Sequence, residues 1–285
     1  MITCDLTGNI GNHQFQYSIT RTVAEHNNYE WGFNPITSND YYGGQPQMNF
    51  FDINYGKQHT AKWKEMPEGV TNIWQEKHDH FDTHDFYYYQ PDIFDVKDNT
   101  KLIVPCVQNA KYYNKEKLRK WFQIKEKNIE YYESLLDIYN IVLDENLCII
   151  NIRGGEYKYV SSLLLRNEYW RDAIVHMTTR NPKMQYYIIT DDTEYAKNIF
   201  PYPVAHFGIG MDYYIINHSK NLIISNSSFA ILPTWLNYND PFVIAPRWWA
   251  RHNVAEKYWA SSNIYSFNTE GNWNFLDRDG KLYAR

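Results

Sequence analysis

Arg153 follows a short apolar run, Leu147 to Ile150, and is itself followed by Gly154, Gly155, Glu156 and Tyr157. A β-branched run that breaks into two glycines reads as a buried strand leaving a sheet through a tight turn. In open α/β sheets, ligands bind outside the carboxyl ends of the strands. A guanidinium there, forked and permanently charged, suits a phosphate-bearing leaving group. The alternative for the same residue is a structural pairing with Glu156.

Two further runs end in the same manner. Tyr186 to Thr190 leads into Asp191 and Asp192, an acidic pair suited to ribose hydroxyls or a guanine edge, or else to capping a helix that starts at Thr193. Leu222 to Ser225 leads into Asn226, Ser227, Ser228 and Phe229 and then directly into a helix. Small hydroxyls with backbone N–H groups at a helix start make a diphosphate cradle, whereas a helix cap alone needs one such residue. Three strand ends converging on one crevice read as a nucleotide or nucleotide-sugar site. The site lacks a Walker loop and the dinucleotide Gly-x-Gly-x-x-Gly pattern. At the start of the chain, Gly8-Asn9-Ile10-Gly11-Asn12 precede His13 and Gln14 and a run with Phe15, Ile19 and Val23 on one face. That loop presents N–H groups to an anion or a sugar hydroxyl, or simply caps the helix.

The elements that position these residues divide the chain at about residue 143. Residues 1–143 open with a strand at Ile2 to Leu6 and a helix, then turn irregular, polar and aromatic from Tyr29 to about Val107, with turns at Tyr42-Gly43-Gly44 and Pro67 to Gly69. His78, Asp79, His80, Asp82, His84 and Asp85 lie there. Without a helical i, i+4 pair or a cysteine they read as a solvated loop or an acceptor-facing rim, and no metal is expected. One or two bridging helices fill about 114–143. In residues 144–285, short apolar strands alternate with helices, the pattern of a parallel sheet in an α/β fold. Strands are expected at Leu147 to Ile152, Gln185 to Thr190, Asn221 to Ser225 and Phe242 to Ala245. Helices are expected at Tyr169 to Thr179, Thr193 to Phe200, Met211 to Ser219, Ser228 to Leu236 and near Val254 to Ala260.

Composition narrows the partners. With 285 residues, a net charge of -5 and no basic block, the chain lacks the footprint of a nucleic-acid binder. Its 26 tyrosines and 10 tryptophans leave enough rings for a core and for sugar-facing platforms. Cys4, Cys106 and Cys148 are far apart and in no ligand spacing, as in a reducing compartment. Neither a membrane-length apolar run nor a signal peptide is present, so the expected location is the cytoplasm and no transmembrane segment is expected.

Taken together, three motifs resemble the alpha-1,2-fucosyltransferases of glycosyltransferase family 11. Gly8 to Tyr17 is similar to that family's Gly-Gly-Leu-Gly-Asn-Gln-x-Phe-Gln-Tyr, and Asn151 to Tyr157 to its His-x-Arg-Arg-Gly-Asp-Tyr. Ile223 to Leu236 is similar to its Ile-Ile-x-Asn-Ser-Thr-Phe-Ser-Trp-Trp-x-x-x-Leu, and Val243 to Trp249 to the Ile-x-Pro-x-x-Trp strand that follows. The resemblance implies a GT-B fold, two Rossmann-like lobes with the active site in the cleft between them. The donor would be GDP-fucose, bound without a metal or other cofactor by the C-terminal lobe, and the acceptor a glycan. Arg153 would meet the donor diphosphate, with Asn226, Ser227, Ser228 and Phe229 around phosphate and base and Asp191 or Asp192 near guanosine. Asn151 stands where the family has histidine, Gly154 where it has a second arginine, Glu156 where it has aspartate, and Ile231-Leu232 where it has the tryptophan pair. The protein O-fucosyltransferases look similar in carrying one arginine at this motif. Glu156 is the candidate base, and the loop with Gly11, Asn12 and Gln14 would face the cleft from the other lobe. A same-fold transferase with another nucleotide sugar, and a glycan-binding protein without activity, are the alternative functions.

Overall fold

The computed structural model describes residues 1–35, 47–77, 88–160, 163–248 and 266–284. They form two compact units that divide between Lys125 and Glu126.

The first unit is built on a parallel three-stranded sheet of β1 (Ile2–Cys4), β2 (Asn72–Gln75) and β3 (Thr100–Ile103), in the order β1-β3-β2. Helix α1 (Ile10–Asn27) follows β1, and its Phe15, Ile19 and Val23 are fully buried, as their spacing of four predicts. It stops at Asn28, which takes the left-handed conformation and returns its N–H to the Ala24 carbonyl. Tyr17 of α1 centres an aromatic core, stacked on Phe33 at 5.2 Å and set edge-on to Trp31 and Trp121. Much of the aromatic excess in this half is therefore interior packing, each such ring burying a large area. Helix α2 (Lys115–Trp121) closes the unit, capped by the Asn114 side chain, which accepts the Lys117 N–H at 2.9 Å.

The second unit opens with α3 (Glu126–Ile138). The expected boundary at 143/144 lies instead before α3, because this helix packs within the second unit. Tyr132 meets Tyr214 at 5.5 Å between ring centroids, and the Tyr214 hydroxyl donates to Glu133 at 3.4 Å. The strands that follow are β4 (Leu147–Ile152), β5 (Gln185–Thr190), β6 (Val204–Ala205), β7 (Asn221–Ile224), β8 (Phe242–Pro246), β9 (Trp273–Leu276) and β10 (Leu282–Ala284). They form one sheet in the order β10-β9-β8-β7-β4-β5-β6, parallel from β9 to β6, with β10 antiparallel at its edge. Helices α4 (Asn167–Arg180), α5 (Thr193–Lys197), α6 (Ile209–His218) and α7 (Ser228–Leu236) connect the strands. This is the expected α/β class.

The order reverses between β4 and β7, so the crevice outside their carboxyl ends is the ligand position such sheets provide. Beneath it, Ile150, Ile152, Tyr169, Trp170, Ile223 and Ile244 form a buried apolar core. The buried Tyr169 hydroxyl bonds the last carbonyl of β7, that of Ile224, at 2.7 Å, tying α4 to the strand end that carries the site. Pro233 sits inside α7, where it withholds one backbone donor.

Strands β2, β3, β6, β9 and β10 are additional to those the sequence predicts. The turn Asp277 to Gly280 joins β9 to β10, and its Asp279-Gly280 pair, with Gly280 at φ +73°, is a hairpin signal present in the sequence. The expected helix at Val254 to Ala260, Trp249 and the turn Tyr42-Gly43-Gly44 lie outside the described residues. No helix among the described residues is long and apolar enough to cross a membrane. All three cysteines are free thiols.

Candidate active site

Strand register sets the geometry at the switch point. Ile152 of β4 lies opposite Thr190 of β5, so the residues just beyond them, Arg153 and Asp191, emerge side by side. The Arg153 guanidinium forms an ion pair through Nη1 with Asp191 Oδ2, while Asp191 Oδ1 accepts the Gly154 N–H at 2.8 Å. One carboxylate thus fixes both the guanidinium and the turn that carries it, and the Tyr157 ring lies 5.4 Å from the guanidinium carbon. Glu156 is 3.9 Å from Arg153 Nη2 and largely exposed, so of the two carboxylates Asp191 makes the firmer partner.

The turn demands its glycines. A Cβ on Gly154 would stand 2.7 Å from Asp192 Cβ and 3.0 Å from Tyr195, and one on Gly155 would run into the Asp191 carboxylate. No second arginine fits at 154 without moving α5. Gly154→Ala is accordingly expected to destabilise the protein by about 1–3 kcal/mol through backbone displacement. Urea unfolding checks this, and a change below about 0.5 kcal/mol would show that the turn yields freely.

Asn151 is buried in β4. Its amide nitrogen donates to the Ile189 carbonyl at 3.3 Å, and its carbonyl oxygen accepts from the Ser225 hydroxyl at 3.3 Å. Its side chain therefore braces β5 and the end of β7 from within the sheet. On the β7 side, Asn226 is buried and donates to the Leu163 carbonyl at 2.9 Å. Ser227 caps α7, its hydroxyl accepting the Phe229 N–H at 3.4 Å, and Ser228 begins the helix. Phe229 packs edge-on against Tyr213. These residues set a helix start with positive dipole end at the same crevice as Arg153.

Asp192 caps α5 by accepting the Tyr195 N–H at 3.0 Å, and it is ion-paired with Lys158. The Lys158 hydrogen bond, ahead of the Tyr195 N–H, holds its carboxyl below the usual range against a small burial cost. Lys158 thereby brings a second cation to the turn whose Gly154 cannot carry one.

Sequence reasoning missed a further pair at this edge. His206 directly follows β6, and its Nδ1 meets the buried Asp212 of α6 at 2.6 Å. Asp212 also accepts the Phe207 N–H at 3.0 Å. A two-residue strand carries no readable periodicity, so no signal pointed to this histidine.

In the first unit, the loop after β1 turns at Gly8, φ +76°, where a Cβ would strike the Asn12 side chain at 2.6 Å. Asn12 accepts from Gln108 at 3.2 Å, and Gly11 and Gln14 are buried in the first turns of α1. His13 is buried there too. Among the described residues neither ring nitrogen has a hydrogen-bond partner of good geometry, and burial pushes its pKa down to about 4, the nearby Gly8 carbonyl opposing the shift. Glu76, just beyond β2, is buried and accepts the N–H groups of Cys106 at 2.9 Å and Val107 at 2.8 Å. Burial pushes its carboxyl up to about 7, the two N–H groups offsetting part of that shift. Val107 stands at φ +35°, a conformation that costs a β-branched residue energy and that the Glu76 contact holds in place. Sequence gave no hint of either residue's role. Among the described residues no group of three or more histidine, cysteine or acidic side chains is placed to hold a metal ion. His78, Asp79, His80, Asp82, His84 and Asp85 lie outside the described residues.

No family model matches the chain. It is 24% identical to the O-antigen biosynthesis glycosyltransferase WbnK of Escherichia coli, over 90% of this chain and 97% of that one. To an alpha-1,2-colitosyltransferase, also of Escherichia coli, it is 30% identical over 50% of this chain and 53% of the other. Among solved structures, the apo form of POFUT1 shares its fold, with a TM-score of 0.50 and 11% identity over 84% of this chain and 94% of that one. A relationship that runs the length of both chains makes this protein a glycosyltransferase, in keeping with the family 11 resemblance carried by its motifs.

Proposed function

We propose that the protein transfers fucose, with inversion, from GDP-fucose to a hydroxyl of a glycan acceptor, forming an alpha-1,2 linkage to a terminal galactose. No metal takes part in this proposal, and the reaction runs in the cytoplasm. The observation that carries the reading is Arg153, held by Asp191 at the sheet's switch point beside the start of α7. The alpha-1,2-colitosyltransferase supports the linkage, and the family 11 resemblance of the three motifs supports the donor.

In this mechanism the acceptor oxygen attacks the anomeric carbon from the face opposite the nucleotide, and the bond from that carbon to the β-phosphate oxygen breaks. The sugar is oxocarbenium-like at the transition state, and negative charge grows on the β-phosphate. Arg153 and the positive end of α7 stabilise that charge because both are fixed before the reaction. Glu156, exposed on the turn, takes the acceptor's proton and GDP departs.

Calorimetric titration with GDP, UDP and ADP, each with and without magnesium, tests the donor. GDP binding that exceeds the other two at least tenfold and is indifferent to magnesium is expected. Preference for UDP or ADP would overturn the reading, and binding of none would favour a glycan-binding protein. A second reading within the same chemistry is a donor sugar other than fucose, favoured by the relative that transfers colitose. GDP-fucose hydrolysis and transfer assays separate the two, since that reading keeps GDP binding and abolishes fucose transfer.

A further inference from the structure

His206 stands in line with the site just described. Ala205 of β6 lies opposite Ile189 of β5, so His206 emerges beside Thr190, next to Asp191. It is two strands from Arg153, a lateral distance of about 10 Å that an extended nucleoside diphosphate spans. Its only side-chain hydrogen bond among the described residues is the one through Nδ1 to Asp212, and its ring is half-exposed. The Asp212 carboxylate is itself buried and anchored by the Phe207 N–H, so it orients the imidazole and directs the remaining nitrogen, Nε2, away from α6. At the opposite flank, beyond β8 and β9, Arg247 and Trp248 both bond the Asp277 carboxylate, at 2.5 Å and 2.9 Å, so those groups are engaged with each other.

We propose that His206, oriented by Asp212, is a nucleotide-contacting residue whose Nε2 donates a hydrogen bond to an acceptor atom of the donor's nucleotide. This rests on the GDP-linked donor reading above. The acceptor atom belongs either to the phosphates or to the nucleoside. The charged groups that face His206 are Asp212 on α6 and Asp191 beyond β5, and both favour the imidazolium. The Asp212 hydrogen bond raises the pKa above that of an ordinary histidine, burial offsetting part of this and Asp191 adding to it. Nε2 carries a proton to donate below that raised pKa, so the contact strengthens nucleotide binding at low pH and fades as pH rises through it.

Two substitutions divide the roles of the ring. His206→Asn keeps an N–H where Nδ1 was, so Asp212 remains paired, and removes Nε2. His206→Gln keeps a donor near the position of Nε2 that does not titrate. GDP and guanosine are titrated calorimetrically against the unaltered protein and both variants from about pH 6 to about pH 9. Expected are a roughly tenfold loss of GDP affinity in His206→Asn at the low end, shrinking toward the high end, and a flat profile with affinity largely retained in His206→Gln. A loss confined to GDP assigns the contact to the phosphates, and a loss shared by guanosine assigns it to the nucleoside. Equal GDP affinity and an unchanged pH profile in the unaltered protein and His206→Asn would overturn this inference alone. Failure of the unaltered protein to bind GDP would overturn the donor reading and this inference with it.

Discussion

Arg153→Ala is expected to lower the turnover of sugar transfer by about 10²–10³-fold while costing the fold about 1 kcal/mol or less. The two numbers differ because the arginine serves two purposes of unequal weight. In the resting protein it pairs with Asp191 at a partly open strand end, with 19% and 26% of the two side chains exposed. A pair in that setting contributes little to stability, and the Gly154 N–H remains to Asp191 when the guanidinium is gone. In the reaction proposed above, the same guanidinium meets the charge that grows on the leaving phosphate. There it is already in place, so its stabilisation is not reduced by reorganisation. Arg153→Lys tests the geometry separately. A lysine restores the charge without the fork that would hold Asp191 and a phosphate together, and it is expected to recover no more than about a tenth of the lost activity. Steady-state transfer assays with GDP-fucose, run beside urea unfolding of the same variants, supply both axes. Turnover within about fivefold of the unaltered protein in Arg153→Ala would remove this residue from the mechanism.

The site was legible in the sequence where a strand end and a helix start fell on consecutive residues, and illegible where two distant segments had to meet. Leu147 to Ile152 and Gln185 to Thr190 could each be read as strands, and their terminal residues as candidates. That Asp191 would close on Arg153 depends on the register Ile152 to Thr190, which no local pattern encodes. Gly154 could be read as a departure from a two-arginine motif, but only the packing of Asp192 and Tyr195 explains why no side chain fits there. Asn151 stands in a motif position that suggests a ligand contact. Its two hydrogen bonds to neighbouring strands are a consequence of strand order, again non-local. His206 follows two strand residues, too few to show alternation. In the first half, β2 and β3 each span four residues separated by long irregular stretches, so the sheet that places Glu76 could not be assembled from periodicity.

The contributions of His13 and Glu76 to stability should run in opposite directions between about pH 7 and pH 5, so replacing either one should tilt the profile of the protein. His13 has a folded pKa near 4 against 6.5 for an ordinary histidine. The unfolded chain takes up this proton first, so stability is intact above 6.5 and is lost as pH falls toward 4. Glu76 has a folded pKa near 7 against 4.5. Here the folded state holds the proton more firmly, so its contribution is full below 4.5 and is lost as pH rises through 7. Across the shared window the two slopes are opposite, and each is worth on the order of 2 kcal/mol by pH 5. His13→Gln removes a group that cannot charge where it sits and inserts a side chain of similar volume, the residue type the resembling motif carries at this position. Relative to the unaltered protein, its stability should therefore gain roughly 2 kcal/mol as pH falls from 7 to 5, because the Glu76 slope is no longer offset by His13. Glu76→Gln leaves His13 alone and should lose a comparable amount over the same interval. It should also be weaker at every pH, because the amide cannot accept from both the Cys106 and Val107 N–H groups that hold the left-handed Val107. Equilibrium urea unfolding of the three proteins at pH 7, 6 and 5 reads these slopes directly. Parallel profiles for the unaltered protein and His13→Gln would mean that the His13 imidazole finds a partner or water in solution and that its burial carries no charge penalty.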